Sequence, residues 1–231
     1  MWNGKNKALT FSFDDGVTQD KRLIEILNEY GLKSTFNLNS SYLGLPGSLE
    51  MNGITVLHNK INHSEVKSVY SGHEVAVHTL THPNLTGLNG ETIKWQVEED
   101  RKALERLVGY KVRAMAYPCG GVNNDDRVAE VLKNETEIKF ARTITSSYSF
   151  DLQDNLLRFN PSVNFAEVKK LFELAEKFLA IKTDKPQLFY VWGHSYELDA
   201  GNIKWEEFED FCKMVSGKED IFYGTNSEVL L

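Results

Sequence analysis

The chain has 231 residues, of which 41% are hydrophobic and 26% are charged, which is typical of a globular protein with a large buried core. Its formal net charge is -7 without a run of Lys or Arg, which argues against nucleic acid or an anionic membrane as the main partner but not against a neutral sugar. The two cysteines, Cys119 and Cys212, lie far apart and form neither a disulfide framework nor a zinc ribbon.

No apolar run has the length of a signal peptide or of a membrane span. Taken as it stands, the sequence therefore predicts a cytoplasmic protein. An extracellular or cell-surface location follows instead if the chain has been trimmed, because Leu9 opens a core strand with almost nothing before it. No pattern in the sequence indicates the oligomeric state.

Apolar and polar residues predict strands and helices that alternate along the whole chain. The predicted strands are 8–13, 34–39, 74–78, 112–117, 138–142, 188–192 and 221–223. The predicted helices are 18–30, 64–70, 91–108, 125–133, 164–181 and 205–215, and residues 40–62 and 146–161 have no assignment. This alternation indicates parallel strands joined by helical crossovers, in a barrel or a doubly wound sheet, as one domain over residues 1–231. The sequence lacks the glycine-rich dinucleotide and phosphate loops and the nucleophile elbow of the hydrolases.

The first predicted strand ends in two adjacent carboxylates, Asp14 and Asp15, followed by Gly16. Adjacent acids repel each other unless a positive group lies beside them, and a bound metal ion is one such group. The glycine lets the backbone turn at once, at the strand end where α/β barrels carry their chemistry. The alternative is a strand followed by an ordinary polar Asp-Gly turn.

The third predicted strand leads into His78 and His82, two histidines four residues apart, with Pro83 after them. They can bind one ion if the segment turns helically. Two histidines and one aspartate leave a coordination position open, which is typical of a catalytic rather than a structural metal site. The alternative is a chance pair that makes core hydrogen bonds, and the nearby pair of acids favours the metal.

The fourth predicted strand ends in Pro118, Cys119 and two glycines. This ending leaves backbone N–H groups free to hold an oxyanion. The thiol of Cys119 could be a nucleophile, but a small apolar role fits its surroundings better.

The sixth predicted strand places Tyr190, Trp192 and His194 on one face. His194 at the strand end suits a general acid, because the histidine pKa lies near neutrality, and the alternative is a hydrogen-bonded core histidine. Trp192 either stacks on a sugar ring or packs in the core.

Together these stretches resemble the polysaccharide deacetylases of carbohydrate esterase family 4. Residues 13–16 match the first family motif, residues 78–83 the second, residues 113–120 part of the third, and residues 190–194 the fifth. The resemblance implies a distorted (β/α) barrel of seven or eight mostly parallel strands. It also implies a metal-dependent hydrolase of carbon–nitrogen bonds that removes acetyl groups from an N-acetylated sugar or polysaccharide.

The resemblance also implies roles for individual residues. Asp14 would be the catalytic base, His194 the general acid, and the Cys119 N–H part of an oxyanion hole. A divalent metal, usually zinc, with cobalt, manganese or nickel as alternatives, would bind to Asp15, His78 and His82. Tyr117 and Trp192 are the remaining candidates for oxyanion or substrate contacts.

This chain departs from the family pattern at an arginine, at the aromatic residue whose place Cys119 takes, and at the motif that orients the acid histidine. The family arginine three residues before Cys119, which steadies the base, is replaced by Ala116, and Arg113 is the nearest substitute. The aspartate that orients the acid histidine has Asp151 as its candidate here, with Asp199 as an alternative. These departures keep two other functions open: an O-acetyl esterase or small-amide amidase, and a catalytically weak sugar-binding domain on the same fold.

Overall fold

The computed structural model describes residues 1–231 and centres on the strand β1 (Lys7–Asp14). The other strands are β2 (Ser34–Leu38), β3 (Ser48–Met51), β4 (Ile54–Leu57), β5 (Glu74–Val77), β6 (Ala114–Ala116), β7 (Phe140–Arg142), β8 (Val163–Asn164), β9 (Gln187–Gly193) and β10 (Ile221–Tyr223). The helices are α1 (Asp20–Glu29), α2 (Val66–Val69), α3 (Gly90–Val108), α4 (Asp126–Glu135), α5 (Val168–Ala180), α6 (Tyr196–Asp199), α7 (Trp205–Val215) and α8 (Asn226–Leu230).

Eight strands form one parallel sheet in the order β7-β6-β5-β2-β1-β9-β8, and β10 pairs with the first residues of β1. One segment connects the two edges of this sheet: Phe159 bridges to Arg142 of β7, while β8 pairs with β9. The sheet therefore curls into an incomplete barrel, which confirms the predicted barrel of mostly parallel strands. No helix combines the length and apolarity needed to cross a membrane.

Alternate residues of each strand face the barrel interior or the surrounding helices. In β1, the rings of Phe11 and Phe13 pack outward against Phe208 of α7, so Ser12 and Asp14 face inward. The outward side chains contribute to a core of 45 buried residues between the sheet and the helices. The barrel interior is a smaller apolar cluster formed by Trp2, Ala8, Ala76, Ala114, Phe140, Phe159, Leu188, Tyr190, Trp192 and Val229.

All seven predicted strands and all six predicted helices are present, and most of their ends are shifted. The largest shift is in α5, which begins at Val168 rather than at residue 164. The Asn164 side chain accepts a hydrogen bond from the N–H of Ala166, so it stabilises a turn before the helix instead of capping it. The structure adds the two-residue β8 and the short helices α6 and α8, which are too brief for a periodic pattern to reveal.

Residues 40–62, called the hairpin segment below, contain an antiparallel hairpin of β3 and β4 outside the main sheet. Its turn is Asn52-Gly53, and both residues have positive φ, 53° and 77°. An Asn-Gly pair between two β-prone runs is the strongest short-range signal for such a turn, so the sequence contained evidence for this hairpin. The segment returns to β1, where Val17 pairs with Lys60 and the Ile61 N–H donates to Gly16 O at 2.9 Å.

A buried histidine at the start of β5 links stability to pH. His73 Nδ1 accepts a hydrogen bond from the Ser34 N–H at 3.2 Å, and its Nε2 lies 3.1 Å from Asn28 Oδ1. Burial, with the nearby charge of Lys33, lowers the pKa of His73 from 6.5 to about 4. The unfolded chain therefore binds a proton below pH 6.5 that the folded chain does not bind, and stability falls as pH drops from about 6.5 to about 4.

We expect His73→Asn to reduce this loss of stability at acidic pH, because asparagine keeps an acceptor for the Ser34 N–H but does not titrate. At about 1.4 kcal/mol per pKa unit, His73 accounts for a decrease of up to about 3 kcal/mol in the free energy of unfolding between pH 6.5 and pH 4. Chemical denaturation at several pH values measures it in wild type and variant. His63→Asn changes an exposed histidine and is the control, and we expect it to leave the loss of stability at acidic pH unchanged. Equal slopes for wild type and His73→Asn would contradict the assignment.

Candidate active site

Side chains from several strand ends meet at the carboxyl end of the barrel. Asp14, His78 and His194 follow the inward positions of β1, β5 and β9, so the alternation of each strand turns them toward one another. His78 Nε2 and His194 Nε2 lie 4.0 and 3.9 Å from Asp14 Oδ2. The site is thus a consequence of parallel strands ending at one rim with matched inward faces.

Three side chains converge as metal ligands would. The ligand atoms of Asp15, His78 and His82 all lie within 4.8 Å of one another. Asp15 Oδ1 is 4.0 Å from His78 Nε2 and 3.7 Å from His82 Nε2. One carboxylate and two imidazoles with an open position form a donor set that suits zinc and similar divalent ions. The structure therefore brings together the three residues that the family resemblance implied as ligands.

The protonation of His78 also fits a ligand. Its Nδ1 lies 2.9 Å from the Ala116 carbonyl, which can only accept a hydrogen bond, so the ring hydrogen belongs on Nδ1 and Nε2 keeps a free lone pair. Burial lowers the pKa of His78 to about 4, against the opposing charge of Asp14. The neutral imidazole that metal binding requires is therefore the resting form at neutral pH.

Backbone strain is concentrated at this rim. Four of the eight non-glycine residues with positive φ belong to it: Asp15 (81°), Thr79 (67°), His82 (56°) and Cys119 (70°). Such conformations cost roughly 1–3 kcal/mol each and persist where the surrounding structure imposes them. Gly16, also at positive φ, has no room for a side chain, because an added Cβ would lie 2.6 Å from Leu38 Cδ2. The chain turns here at an energetic cost, which is typical of functional sites.

Asp14 is buried and held as a carboxylate by an arginine. The guanidinium of Arg142 donates to both oxygens of Asp14, and Asn37 Nδ2 donates to Oδ1 at 2.8 Å. Burial alone would raise the pKa of Asp14, but the charge and hydrogen bonds of Arg142, together with the charges of His78 and His194, outweigh burial and lower the pKa below its ordinary value. Asp14 therefore stays ionised although its side chain is buried.

The sequence left open whether Arg113 reaches the base, and the structure shows that Arg142 contacts Asp14 instead. Arg113 is exposed before β6, whereas Arg142 is fully buried as the last residue of β7. In the parallel pairing of β6 and β7, Ala116 is the direct partner of Arg142. The guanidinium thus reaches Asp14 from the neighbouring strand at the same level of the barrel.

His194 is oriented by a glutamate. Glu197 Oε2 accepts from the His194 backbone N–H at 3.0 Å and lies 3.2 Å from its Nδ1. Burial would lower the pKa of His194, but the hydrogen bond and charge of Glu197 outweigh it and raise the pKa to about 9. This contact leaves Nε2 as the nitrogen on the side of Asp14.

Neither aspartate proposed for that role contacts His194. Asp151 is exposed and accepts hydrogen bonds from Gln187 Nε2 and Ser149 Oγ, at the opposite end of β9 from His194. Asp199 accepts from Gln19 Nε2 and Trp205 Nε1. Glu197 takes their place because the turn after β9 becomes the helix α6, which brings a residue three positions later back over the imidazole.

The remaining candidates divide between the site and the core. Cys119 has an N–H without a protein acceptor, as an oxyanion donor requires, and its Sγ lies 3.4 Å from the His82 carbonyl oxygen. Tyr117 faces outward, and its buried hydroxyl donates to the Leu157 carbonyl, so its side chain is not a substrate contact. Trp192 is also buried, with the Arg142 guanidinium 4.4 Å from its ring centre, so it supports Arg142 rather than offering a face to a sugar.

A cleft of about 500 Å³ opens over the candidate metal ligands Asp15 and His82. Its other lining residues are Asn39, Tyr42, Leu45, Pro46, Gly47, Leu49, His58, Lys60 and Tyr196, most of them from the hairpin segment. The cleft is large enough for a small molecule or for a short stretch of a polymer. The hairpin segment is therefore one wall of the candidate active site.

Sequence reasoning missed Arg142 and Glu197, although both carried a signal. Arg142 is the last residue of a predicted strand and lies on its inward face. A charged residue at such a position cannot remain buried without a partner. Glu197 stands three residues after His194, the spacing of one helical turn. The partner of Arg142 depended on a contact with the distant Asp14, and that of Glu197 on the turn after β9 becoming helical.

Comparison with known proteins shows which proteins this chain is similar to. The polysaccharide deacetylase family model matches residues 3–136. The peptidoglycan-N-acetylglucosamine deacetylase PgdA of Listeria monocytogenes is 28% identical over 128 residues, which cover 54% of this chain and 24% of PgdA. Chitin deacetylase 1 of Cryptococcus neoformans is 29% identical over 122 residues, 52% of this chain and 22% of that protein. The chain thus aligns with about a quarter of the length of each relative.

Solved structures share the fold. The family 4 carbohydrate esterase from Streptomyces lividans superposes with a TM-score of 0.57 at 14% identity, covering 96% of this chain and 93% of that chain. A pseudoenzyme of the same family from Bacillus anthracis has a TM-score of 0.56 at 18% identity, covering 98% and 66%. Since this fold is found in an esterase and in a pseudoenzyme, activity has to be argued from the residues of the site. The match of the family model to more than half of the chain shows that this protein belongs to the polysaccharide deacetylase family.

Proposed function

We propose that the protein is a metal-dependent deacetylase that removes the acetyl group from an N-acetylated sugar by hydrolysis. The observation that carries this proposal is the convergence of Asp15, His78 and His82 within 4.8 Å beside the ionised Asp14. The names of the relatives support the substrate class, since they act on N-acetylglucosamine of peptidoglycan and on chitin. Zinc is the metal we favour, because the donor set is two imidazoles and one carboxylate.

A divalent ion held by these residues would acidify water and polarise the acetyl carbonyl. Asp14 then acts as the general base. Its carboxylate stays ionised beside Arg142 and takes the proton of the attacking water. The free N–H of Cys119 donates to the oxygen that becomes negative as the carbonyl carbon turns tetrahedral.

His194 completes the reaction as the general acid. Glu197 holds its Nδ1 side and favours the protonated ring, so Nε2 can give a proton to the leaving nitrogen. Asp14 has taken a proton from the water and His194 gives one to the leaving nitrogen, so the tetrahedral intermediate breaks down to acetate and a free amino sugar. Glu197 acts through His194 and is a positioning residue.

The proposal is tested by metal content and acetate release from N-acetylglucosamine oligomers, in wild type and in His78→Ala. We expect about one metal ion per wild-type chain with acetate release, and loss of both in the variant, because removing one of three ligands weakens a site with an open position. Lys139→Ala, at an exposed position away from the rim, serves as the control.

Other results would redirect the proposal. Stoichiometric metal with acetate released only from O-acetylated sugars or small amides would identify the esterase or amidase alternative. Metal and sugar binding without any hydrolysis would identify a binding domain. A wild-type chain that binds neither zinc nor cobalt would contradict the metal site itself.

A further inference from the structure

The hairpin segment reaches the metal-binding carboxylate through two side chains. His58 Nε2, just after β4, lies 3.2 Å from Asp15 Oδ2. Lys60 Nζ donates to the Asp15 backbone oxygen at 2.8 Å and lies 3.5 Å from Oδ1. Both side chains approach a residue at the end of β1, so a segment outside the main sheet contacts the centre of the site.

The two oxygens of Asp15 have different neighbours. Oδ1 is the oxygen near the imidazoles of His78 and His82, at 4.0 and 3.7 Å. Oδ2 is the oxygen next to His58. A carboxylate held at one oxygen cannot rotate freely, so the contact with His58 keeps Oδ1 directed at the histidines. His58 itself is outside the group of converging ligand atoms.

The imidazole of His58 is itself held in place. The rings of His58 and Tyr196 pack edge to face, with ring centres 5.0 Å apart and planes at 79°. The His58 backbone N–H donates to the Gly47 carbonyl at 2.7 Å, which ties the residue to the start of the hairpin. A side chain fixed on both sides loses little freedom on contacting Asp15, which favours a positioning role.

We propose that His58 is a positioning residue for the metal site: it holds Asp15 Oδ2 so that Oδ1 is presented to a divalent ion. The hairpin segment then contributes to metal binding in addition to lining the cleft. This inference rests on the proposed metal site. Groups that orient a ligand in this way typically change metal affinity by about 10–100-fold when they are removed.

The test compares Co²⁺ affinity, followed by visible absorption, with thermal stability in two variants. His58→Phe keeps an aromatic ring against Tyr196 but removes the donor, and we expect Co²⁺ to bind about 10–100-fold more weakly. His58→Gln keeps an amide N–H near the position of Nε2, and we expect an affinity close to wild type. His63→Ala removes an exposed histidine of the same region and is the matched control.

The outcomes separate this inference from the proposed function. Unchanged Co²⁺ affinity in His58→Phe would overturn it, and so would an equal loss in His58→Phe and His58→Gln, since the donor would then not matter. If His58→Phe is thermally unstable, His58→Asn, whose amide is too short to reach Asp15 Oδ2, provides the comparison and should bind Co²⁺ weakly. A wild-type chain that binds no Co²⁺ would overturn the metal site and this inference together.

Discussion

Replacing Asp14 by Asn should lower acetate release by about 10²–10⁴-fold while the metal remains bound. The amide cannot accept the proton of the attacking water, whereas the proposed metal ligands Asp15, His78 and His82 are left intact. Turnover per bound metal ion on N-acetylglucosamine oligomers measures the loss. A variant that retains both metal and activity would show that Asp14 is not the base.

The same substitution should also destabilise the protein, because it leaves the fully buried Arg142 without its counter-ion. Breaking a buried ion pair on one side costs about 3–5 kcal/mol. The double variant Asp14→Asn/Arg142→Met removes both charges and should recover much of that stability without recovering activity. Activity that returned together with stability would mean that Asp14 supports the fold and not the reaction.

Replacing Arg142 by Met should have the second largest effect. It leaves the Asp14 carboxylate buried without its cation, so we expect a loss of about 3–5 kcal/mol in the free energy of unfolding. The charge of Arg142 lowers the pKa of Asp14, so its removal should raise that pKa. More Asp14 is then protonated at any acidic pH, and the acid limb of the pH–rate profile should move to higher pH. Denaturation and pH–rate measurements test both effects.

The pairing of β6 with β7 provides a control for this prediction. Ala116 is the direct partner of Arg142, so the double variant Ala116→Arg/Arg142→Ala moves the guanidinium to the adjacent strand at the same level. We expect it to recover part of the activity lost in Arg142→Met and to restore the acid limb toward lower pH. An unchanged pH–rate profile in Arg142→Met would show that Arg142 does not control the protonation of Asp14.

Much of the candidate site was predictable because it depends on local patterns. The strand ends indicated where acids and histidines would gather, and the family resemblance singled out Asp15, His78 and His82, whose ligand atoms the structure brings together. The roles of Asp14 and His194 stay predictions until activity is measured. The third family motif suggested Tyr117 as an oxyanion or substrate contact, but strand alternation turns its side chain outward, where its hydroxyl donates to the Leu157 carbonyl.

Hydrophobic periods and motifs within single segments were enough to predict the alternation of strands and helices, the family, and the residues that end the inward faces of β1, β5 and β9. The contact of Glu197 with His194 is also local, but it forms only because the turn after β9 becomes the helix α6. Two other contacts required the tertiary structure: Arg142 reaches Asp14 beside the position of Ala116, and the hairpin segment reaches Asp15. These two contacts depend on strand order, on register and on where a separate hairpin packs, and they join residues up to 128 positions apart, which no local period in the sequence reports.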